Sequence, residues 1–330
     1  LTGARTATAT SGPGFSLMTE GLGWAGMNEV PLVVTLYQRG GPSTGMPTRT
    51  DQGDLLSAIH GGHGEYPRIV MASGDVESCF YDAAQAFDYA ERYQLPVIHL
   101  LDKALTSTLQ TVPPFDIQRL CIDRGMRYEA DHEAKNPVQR FALTDSGISP
   151  RPLLGQPGGQ HWLTGVEHTE EGLVTEDPVM REKMMEKRAR KLLQAAQDIP
   201  ANEKWQLYGD REATLTIITW GSNKGAVLEA LAILEEEGIR ARAIQLRLLW
   251  PFPAKELEAI LSTAAPLIAV ECNCSGQMQS LIKSQTGRAC EHLILKYSGR
   301  PISGESLYSA LKQIYGGRAD ARIVLRNPDE

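Results

Sequence analysis

The chain has 330 residues, 42% of them hydrophobic and 22% charged, with a formal net charge of −7. Those figures describe an ordinary globular chain long enough for two domains, and they exclude disorder, collagen and coiled coil. No 18-residue apolar run is present, so no membrane helix is expected, and the acidic balance argues against a nucleic-acid partner, which calls for a basic face.

Leu1 to Arg5 show neither the basic start nor the apolar stretch of a signal peptide and read as the middle of a longer chain. Thr10-Ser11-Gly12-Pro13-Gly14 comes next. Alternate glycines let a backbone approach a ligand closely, and the hydroxyls and free N–H groups suit a polar ring or an anion. The pattern is not the dinucleotide fingerprint G-x-G-x-x-G, and on its own it reads as a tight turn before it reads as a site. Pro31–Tyr37 is a nearly continuous apolar run, as expected of a strand buried on both faces. Gln38-Arg39-Gly40-Gly41-Pro42-Ser43-Thr44-Gly45-Met46-Pro47-Thr48 follows directly. Open α/β sheets bind ligands beyond the carboxyl ends of their strands, and a guanidinium matches a carboxylate as a two-pronged fork. Arg39 is therefore a candidate carboxylate-binding group, the alternative being a structural ion pair.

His60-Gly61-Gly62-His63-Gly64-Glu65 lacks the H-E-x-x-H spacing of a metal site, and its glycines indicate a loop. A loop histidine there suits hydrogen bonding to a cofactor. Arg68–Ala72, a helix over Cys79–Tyr93 and Pro96–Leu101 then read as a parallel β-α-β unit.

Gly147–Gly165 is rich in glycine and proline and reads as loop. The spacing predicts a helix over Val179–Gln197, with Met185, Ala189, Leu192, Leu193 and Ala196 on one side and Arg181, Lys183, Lys187, Arg188, Arg190 and Lys191 on the other. Such a helix fits a membrane surface or an acidic partner; the plainer expectation is a connector whose basic face is solvated. From Thr214 onward, strands at Thr214–Trp220, Ala241–Leu248, Leu267–Glu271 and Leu293–Lys296 alternate with helices at Asn223–Glu237, Ala254–Leu261, Gln277–Thr286 and Glu305–Tyr315. This order predicts a doubly wound parallel sheet.

Cys79, Cys121, Cys272, Cys274 and Cys290 are odd in number and include no C-x-x-C. They fit neither a secreted disulfide framework nor a metal cluster, and a reducing cytoplasm is the simplest compartment. The Val270–Gln277 segment, with Cys272 and Cys274, reads as a strand-to-helix turn with small thiols tucked in.

Several segments together are specific. TATSGPGFSLMTEGLGWAGMNEVPLVV, QRGGPSTGMPT, HGEYPRIV, WGSNKGAVLEAL, LRLLWPFP and VECNCSGQMQSLI resemble the α subunit of 2-oxoacid:ferredoxin oxidoreductases, particularly the 2-oxoglutarate type, over essentially the whole chain. The resemblance implies an α/β fold in two modules. Residues 1–115 would be most of a pyrimidine-binding module for thiamine diphosphate, lacking its N-terminal part. Residues 116–205 would be a connecting loop and helix, and residues 206–330 a domain like the C-terminal domain of transketolase.

The resemblance also implies roles. Arg39 would bind the 2-oxoacid carboxylate, with Thr44 and Thr48 setting specificity. Thr10, Ser11, Gly12, Pro13 and His63 would contact the thiamine cofactor. The activating glutamate and the family's Y-P-I-T-P-S motif would lie upstream of Leu1, leaving no catalytic residue in this chain. No G-D-G diphosphate motif is present, so Mg²⁺, the diphosphate and the iron–sulfur cluster would sit on a β subunit. A γ domain or subunit, ferredoxin and coenzyme A as substrate complete the implied assembly. The alternatives are a non-oxidative thiamine-dependent lyase or synthase, which needs its own diphosphate motif, and a non-catalytic assembly subunit.

Overall fold

The computed structural model describes residues 1–133, 135–264 and 266–327. The chain opens on β1 (Ala7–Thr10) and passes through Ser11 into α1 (Gly12–Met27). The Thr10–Gly14 segment is therefore a strand end running into a helix rather than an isolated turn. Pro13 suits the first helical turn, where its fixed φ is already helical and its missing N–H is no loss. Five glycines do not break α1, because Phe15, Met18, Leu22 and Ala25 share one face and are wholly or partly buried.

Next come the hairpin β2 (Leu32–Gly40) and β3 (Met46–Thr50), the short α2 (Leu55–His60), and a β-α-β unit of β4 (Ile69–Ala72), α3 (Val76–Tyr93) and β5 (Pro96–Asp102). α3 begins three residues before the expected Cys79. Asp75 accepts from the Ser78 N–H (2.7 Å) and Ser78 Oγ accepts from the Asp75 N–H (3.0 Å), a reciprocal cap at the helix start. After α4 (Lys103–Thr106), the described residues from 107 to 177 hold a single 3₁₀ turn at Ile117–Arg119 and isolated bridges.

α5 (Pro178–Asp198) and α6 (Ala201–Lys204) lead to β6 (Trp205–Gly209), β7 (Leu215–Trp220), α7 (Asn223–Glu236), β8 (Ala241–Leu246) and β9 (Leu248–Trp250). The chain then continues through α8 (Ala254–Thr263), β10 (Leu267–Glu271), α9 (Gln277–Thr286), β11 (His292–Leu295), α10 (Gly304–Tyr315) and β12 (Arg322–Val324).

The strands form two sheets. The first runs β1-β2-β5-β4-β9, with β3 hanging from β2, and the second runs β12-β11-β10-β7-β8-β6. β1, β2, β5 and β4 are parallel, as are β12, β11, β10, β7 and β8; β3, β9 and β6 are antiparallel to their neighbours. The strand expected over Ala241–Leu248 is in fact two. β8 stays in the second sheet, and after Arg247 the chain crosses to lay β9 against β4 of the first.

The two sheets share a core. Val34, Leu36, Ile98 and Leu100 of the first pack in one cluster with Ile218, Trp220, Ile244 and Leu246 of the second, and α1, α2, α8 and α9 contribute to it. α3 and α5 cover the far face of the first sheet, and α7 and α10 the far face of the second.

The orientation of α5 overturns the expected solvated basic face. Lys187, Arg188 and Lys191 are buried, while Ala189 and Leu193 of the apolar stripe are exposed. The cause is Glu29, just beyond α1 and only 1% exposed. Lys187 Nζ donates to both its carboxylate oxygens (2.7 and 2.8 Å), Lys191 Nζ donates to one of them, and Arg140 lies 3.6 Å away. A buried carboxylate is tolerated only when paired and hydrogen-bonded, and these cations supply the pairing. Arg188 grips Glu167 through both terminal nitrogens (2.9 and 2.6 Å).

Candidate functional site

Thr10 ends β1 opposite Leu36 of β2, and β2 runs on past it to Gly40. The Thr10–Pro13 segment and Arg39 thus both lie at the carboxyl end of the first sheet. Gly14 has no room for a side chain, since a Cβ there would stand 1.9 Å from Thr10 Oγ1. At Gly12 a Cβ would lie 3.2 Å from Asp54 Oδ2. These glycines let the Thr10 and Asp54 side chains pack directly against the start of α1, and the Ser11 side chain makes no cap to the helix.

The Gln38–Thr48 run is the β2–β3 hairpin, with Arg39 opposite Thr50 and Gly40 opposite Met46. Arg39 is half-buried, and its Nη1 donates to the Thr44 carbonyl oxygen (2.5 Å). That bond spans the loop and fixes the guanidinium against it. Gly45 sits at φ +49°, where a Cβ would come within 2.1 Å of the Gly40 carbonyl oxygen, so the tip requires glycine. Thr44 and Thr48 are exposed on the same hairpin. Among the described residues Arg39 has no carboxylate within ion-pair distance.

Asp54 joins the two halves of the site. Burial pushes its carboxyl pKa up, and the charge of Arg39 partly offsets the rise. Its neighbour Asp51 is pushed up to about 6, by burial first and by the Asp54 charge in addition, against the opposing backbone N–H groups of Gly53 and Gln52. The structure thus brings Thr10, Ser11, Gly12, Pro13, Arg39, Thr44 and Thr48 to one end of one sheet. His63 is not with them. It is highly exposed, 3.8 Å from Glu20, and Glu20 stands about 12 Å along α1 from Gly12 at ~1.5 Å per residue.

Sequence reasoning stopped at Thr48 and missed Asp51, Gln52 and Asp54. The available signal was the polar run Asp51-Gln52-Gly53-Asp54 directly after the hairpin. Gln52 is fully buried and ties both sheets together. Its Nε2 donates to Asp102 Oδ2 (3.3 Å) and to the Trp220 carbonyl oxygen (3.1 Å), while its Oε1 accepts from Asn223 Nδ2 (2.9 Å) and the Cys272 N–H (2.9 Å). Gln277 adds bonds from α9 to the Gly53 carbonyl (2.7 Å) and the Leu56 N–H (2.9 Å). This polar seam holds the site from behind. Cys272 lies in it as a buried thiol, pushed above its ordinary pKa by burial. Among the described residues no three His, Cys, Asp or Glu side chains group as a metal site.

The donors at the site are hydroxyls, backbone N–H groups and one guanidinium. That set suits the polar edge of an aminopyrimidine ring beside a carboxylate.

Comparison with known proteins is consistent across sequence and structure. Residues 1–187 match the family model described as pyruvate flavodoxin/ferredoxin oxidoreductase, thiamine diP-bdg, and residues 213–307 match pyruvate:ferredoxin oxidoreductase core domain II. The chain is 45% identical over 327 residues to the 2-oxoacid:ferredoxin oxidoreductase subunit alpha of Saccharolobus solfataricus, covering 98% of this chain and 51% of that one. It is 31% identical over 298 residues to the 2-oxoglutarate synthase subunit KorA of Methanothermobacter thermautotrophicus, covering 90% and 77% respectively. The 2-oxoglutarate:ferredoxin oxidoreductase of Magnetococcus marinus, solved with 2-oxoglutarate, coenzyme A and succinyl-CoA bound, superposes with a TM-score of 0.87 at 37% identity, over 94% of this chain and 53% of that one. The chain therefore spans about half the length of the Saccharolobus and Magnetococcus relatives. With the fold, both family segments and these relatives in agreement, the chain belongs to the 2-oxoacid:ferredoxin oxidoreductase family, on the side of its α subunits.

Proposed function

We propose that this chain supplies the carboxylate grip and one wall of the thiamine site for the coenzyme A-dependent oxidative decarboxylation of a 2-oxoacid, 2-oxoglutarate in the first place, to acyl-CoA and CO₂ with electrons passed to ferredoxin. The observation that carries this reading is Arg39: a guanidinium at the carboxyl end of a parallel sheet, anchored to the Thr44 carbonyl and with no acid of its own among the described residues. A two-pronged donor held in this way suits a substrate carboxylate and orients its reacting carbon, a positioning contribution.

Thr10, Ser11, Gly12 and Pro13 would receive the aminopyrimidine edge, through hydroxyl and backbone contacts. Thiamine diphosphate, when bound, supplies an electron sink that no side chain offers. The chain's own residues hold and orient; Asp54 stands beside Gly12, and its carboxyl feels the charge of Arg39. His63 is the weakest of the proposed cofactor contacts, given its distance along α1.

The diphosphate, Mg²⁺ and iron–sulfur functions belong on a β subunit in this reading, with a γ domain or subunit and ferredoxin completing the assembly. The α-subunit relatives support that division. The unit boundaries near residues 115 and 205 belong to the same proposal. All five cysteines are free, which suits a reducing cytoplasm, and no helix of the described residues is long and apolar enough to cross a membrane.

The assembled enzyme should give viologen reduction that requires both a 2-oxoacid and coenzyme A; reduction lacking either requirement would refute the reading. In the same assay, Thr48→Val and Thr44→Val should change the 2-oxoglutarate-to-pyruvate ratio of kcat/KM by more than they change the melting temperature. A change in stability with an unaltered ratio would remove both threonines from the substrate pocket.

A further inference from the structure

The exposed apolar side of α5 is one wall of a groove of about 460 Å³, closed on the other side by Ile59, Tyr66 and Trp250. Its volume falls in the range of small-molecule sites. At its base lies Arg68, only 4% exposed. Arg68 Nη1 donates to the Ala58 and Gly61 carbonyl oxygens (3.3 and 2.6 Å), but Nε is buried with no acceptor. The guanidinium stacks on the Tyr66 ring at 4.1 Å. Among the described residues no carboxylate comes within ion-pair distance of it. The other guanidinium of the groove, Arg188, is already occupied by Glu167. A buried cation without a counter-charge is costly; a carboxylate entering the groove would supply that counter-charge. Burial also lowers the Arg68 pKa, as expected where the charge lacks a partner.

We propose that this groove binds an amphipathic carboxylate, a medium-chain fatty acid, with its head on Arg68 and its tail between Leu192, Leu193 and Trp250. The groove's lining includes no residue of the hairpin that carries Arg39. Charge complementarity at the base selects the ligand: the walls are mostly apolar, and the buried group at their base is the cation Arg68, while the acid of the lining, Glu65, is exposed to solvent.

The test is calorimetric titration of the assembled enzyme with sodium octanoate, 1-octanol and octylamine. Octanoate should bind at least about tenfold more tightly than octanol, and octylamine should not bind. Ala189→Trp, at an exposed position on the groove wall, should abolish octanoate binding without disturbing the fold. Arg68→Met should remove the preference for octanoate over octanol. Equal affinity for octanoate and octanol, or octanoate binding that survives Ala189→Trp, would overturn the assignment whether or not Arg68→Met folds.

Discussion

Arg39→Ala is expected to raise KM for the 2-oxoacid and lower kcat/KM by about 10²-fold or more in the assembled enzyme, roughly the 3 kcal/mol of a charge-assisted two-pronged contact. Arg39→Lys should recover only part of this, because an ammonium group cannot present the planar fork. Arg39 also holds the hairpin through the Thr44 carbonyl, so loop disorder must be separated from loss of the grip. Thermal unfolding and the KM for coenzyme A provide that separation: both should stay near wild type while the 2-oxoacid KM rises. Unchanged steady-state kinetics would leave Arg39 as a strut of the hairpin and remove the observation on which the proposed function stands.

The second large effect is one of stability. Glu29→Ala should cost about 3–5 kcal/mol, because it leaves buried cations without their counter-charge. Burial alone would raise the Glu29 carboxyl, but Lys191, Lys187 and Arg140 outweigh it and hold the pKa at about 2. Burial likewise outweighs Glu29 on the lysines: Lys187 falls to about 8 and Lys191 well below its ordinary value. The carboxylate is thus the firmly charged member, and the amines are the groups nearest to losing charge. In Glu29→Ala the lysines can shed protons, which draws the loss toward the lower end of the range. The folded pKa of Glu29 lies below its unfolded value of 4.5, so its contribution is fully present above about pH 4.5 and is lost as the pH falls through about 2. Urea unfolding at pH 7 and pH 3 should show the gap between wild type and Glu29→Ala narrowing at the lower pH. A gap that does not narrow would show that the group's charge is not what stabilises α5.

The helix that depends on Glu29 also shows where sequence reading stops. Periodicity correctly grouped Lys187, Arg188 and Lys191 on one face of α5 and Met185, Ala189 and Leu192 on another. Which face turns inward depended on a carboxylate 158 residues from Lys187 in sequence, and no local pattern carries that information. α1 was hidden for a different reason. Its glycines have poor helix propensity, and its stability comes from tertiary packing: Gly26 lies so close to Tyr66 that a Cβ would stand 2.7 Å from the ring. Most strands and helices after residue 214 were readable because strand alternates with helix and the central strands are continuous apolar runs; the break at Arg247 and the largely exposed edge strand β12 were not. At the site, the sequence placed Arg39 at a strand end ahead of glycines and hydroxyls, and the structure has it in β2 just before the hairpin tip. Gln52 was not legible, since its partners lie at the ends of β5 and β7, at the start of α7 and just past β10, and a single buried amide has no sequence signature.

The crossing of β9 into the first sheet has a consequence for how the polypeptide is made. Until Leu248–Trp250 leave the ribosome, β4 has an unpaired edge, and it is a strand of Ile69, Val70, Met71 and Ala72 with no charge or proline to deter a neighbour. The first half of the chain thus waits, adhesive, for a strand made after β6, β7 and β8 of the other sheet. A polypeptide cut in the connector between the halves keeps that edge open until the second half docks its β9 there, so pieces divided there are prone to stick to one another.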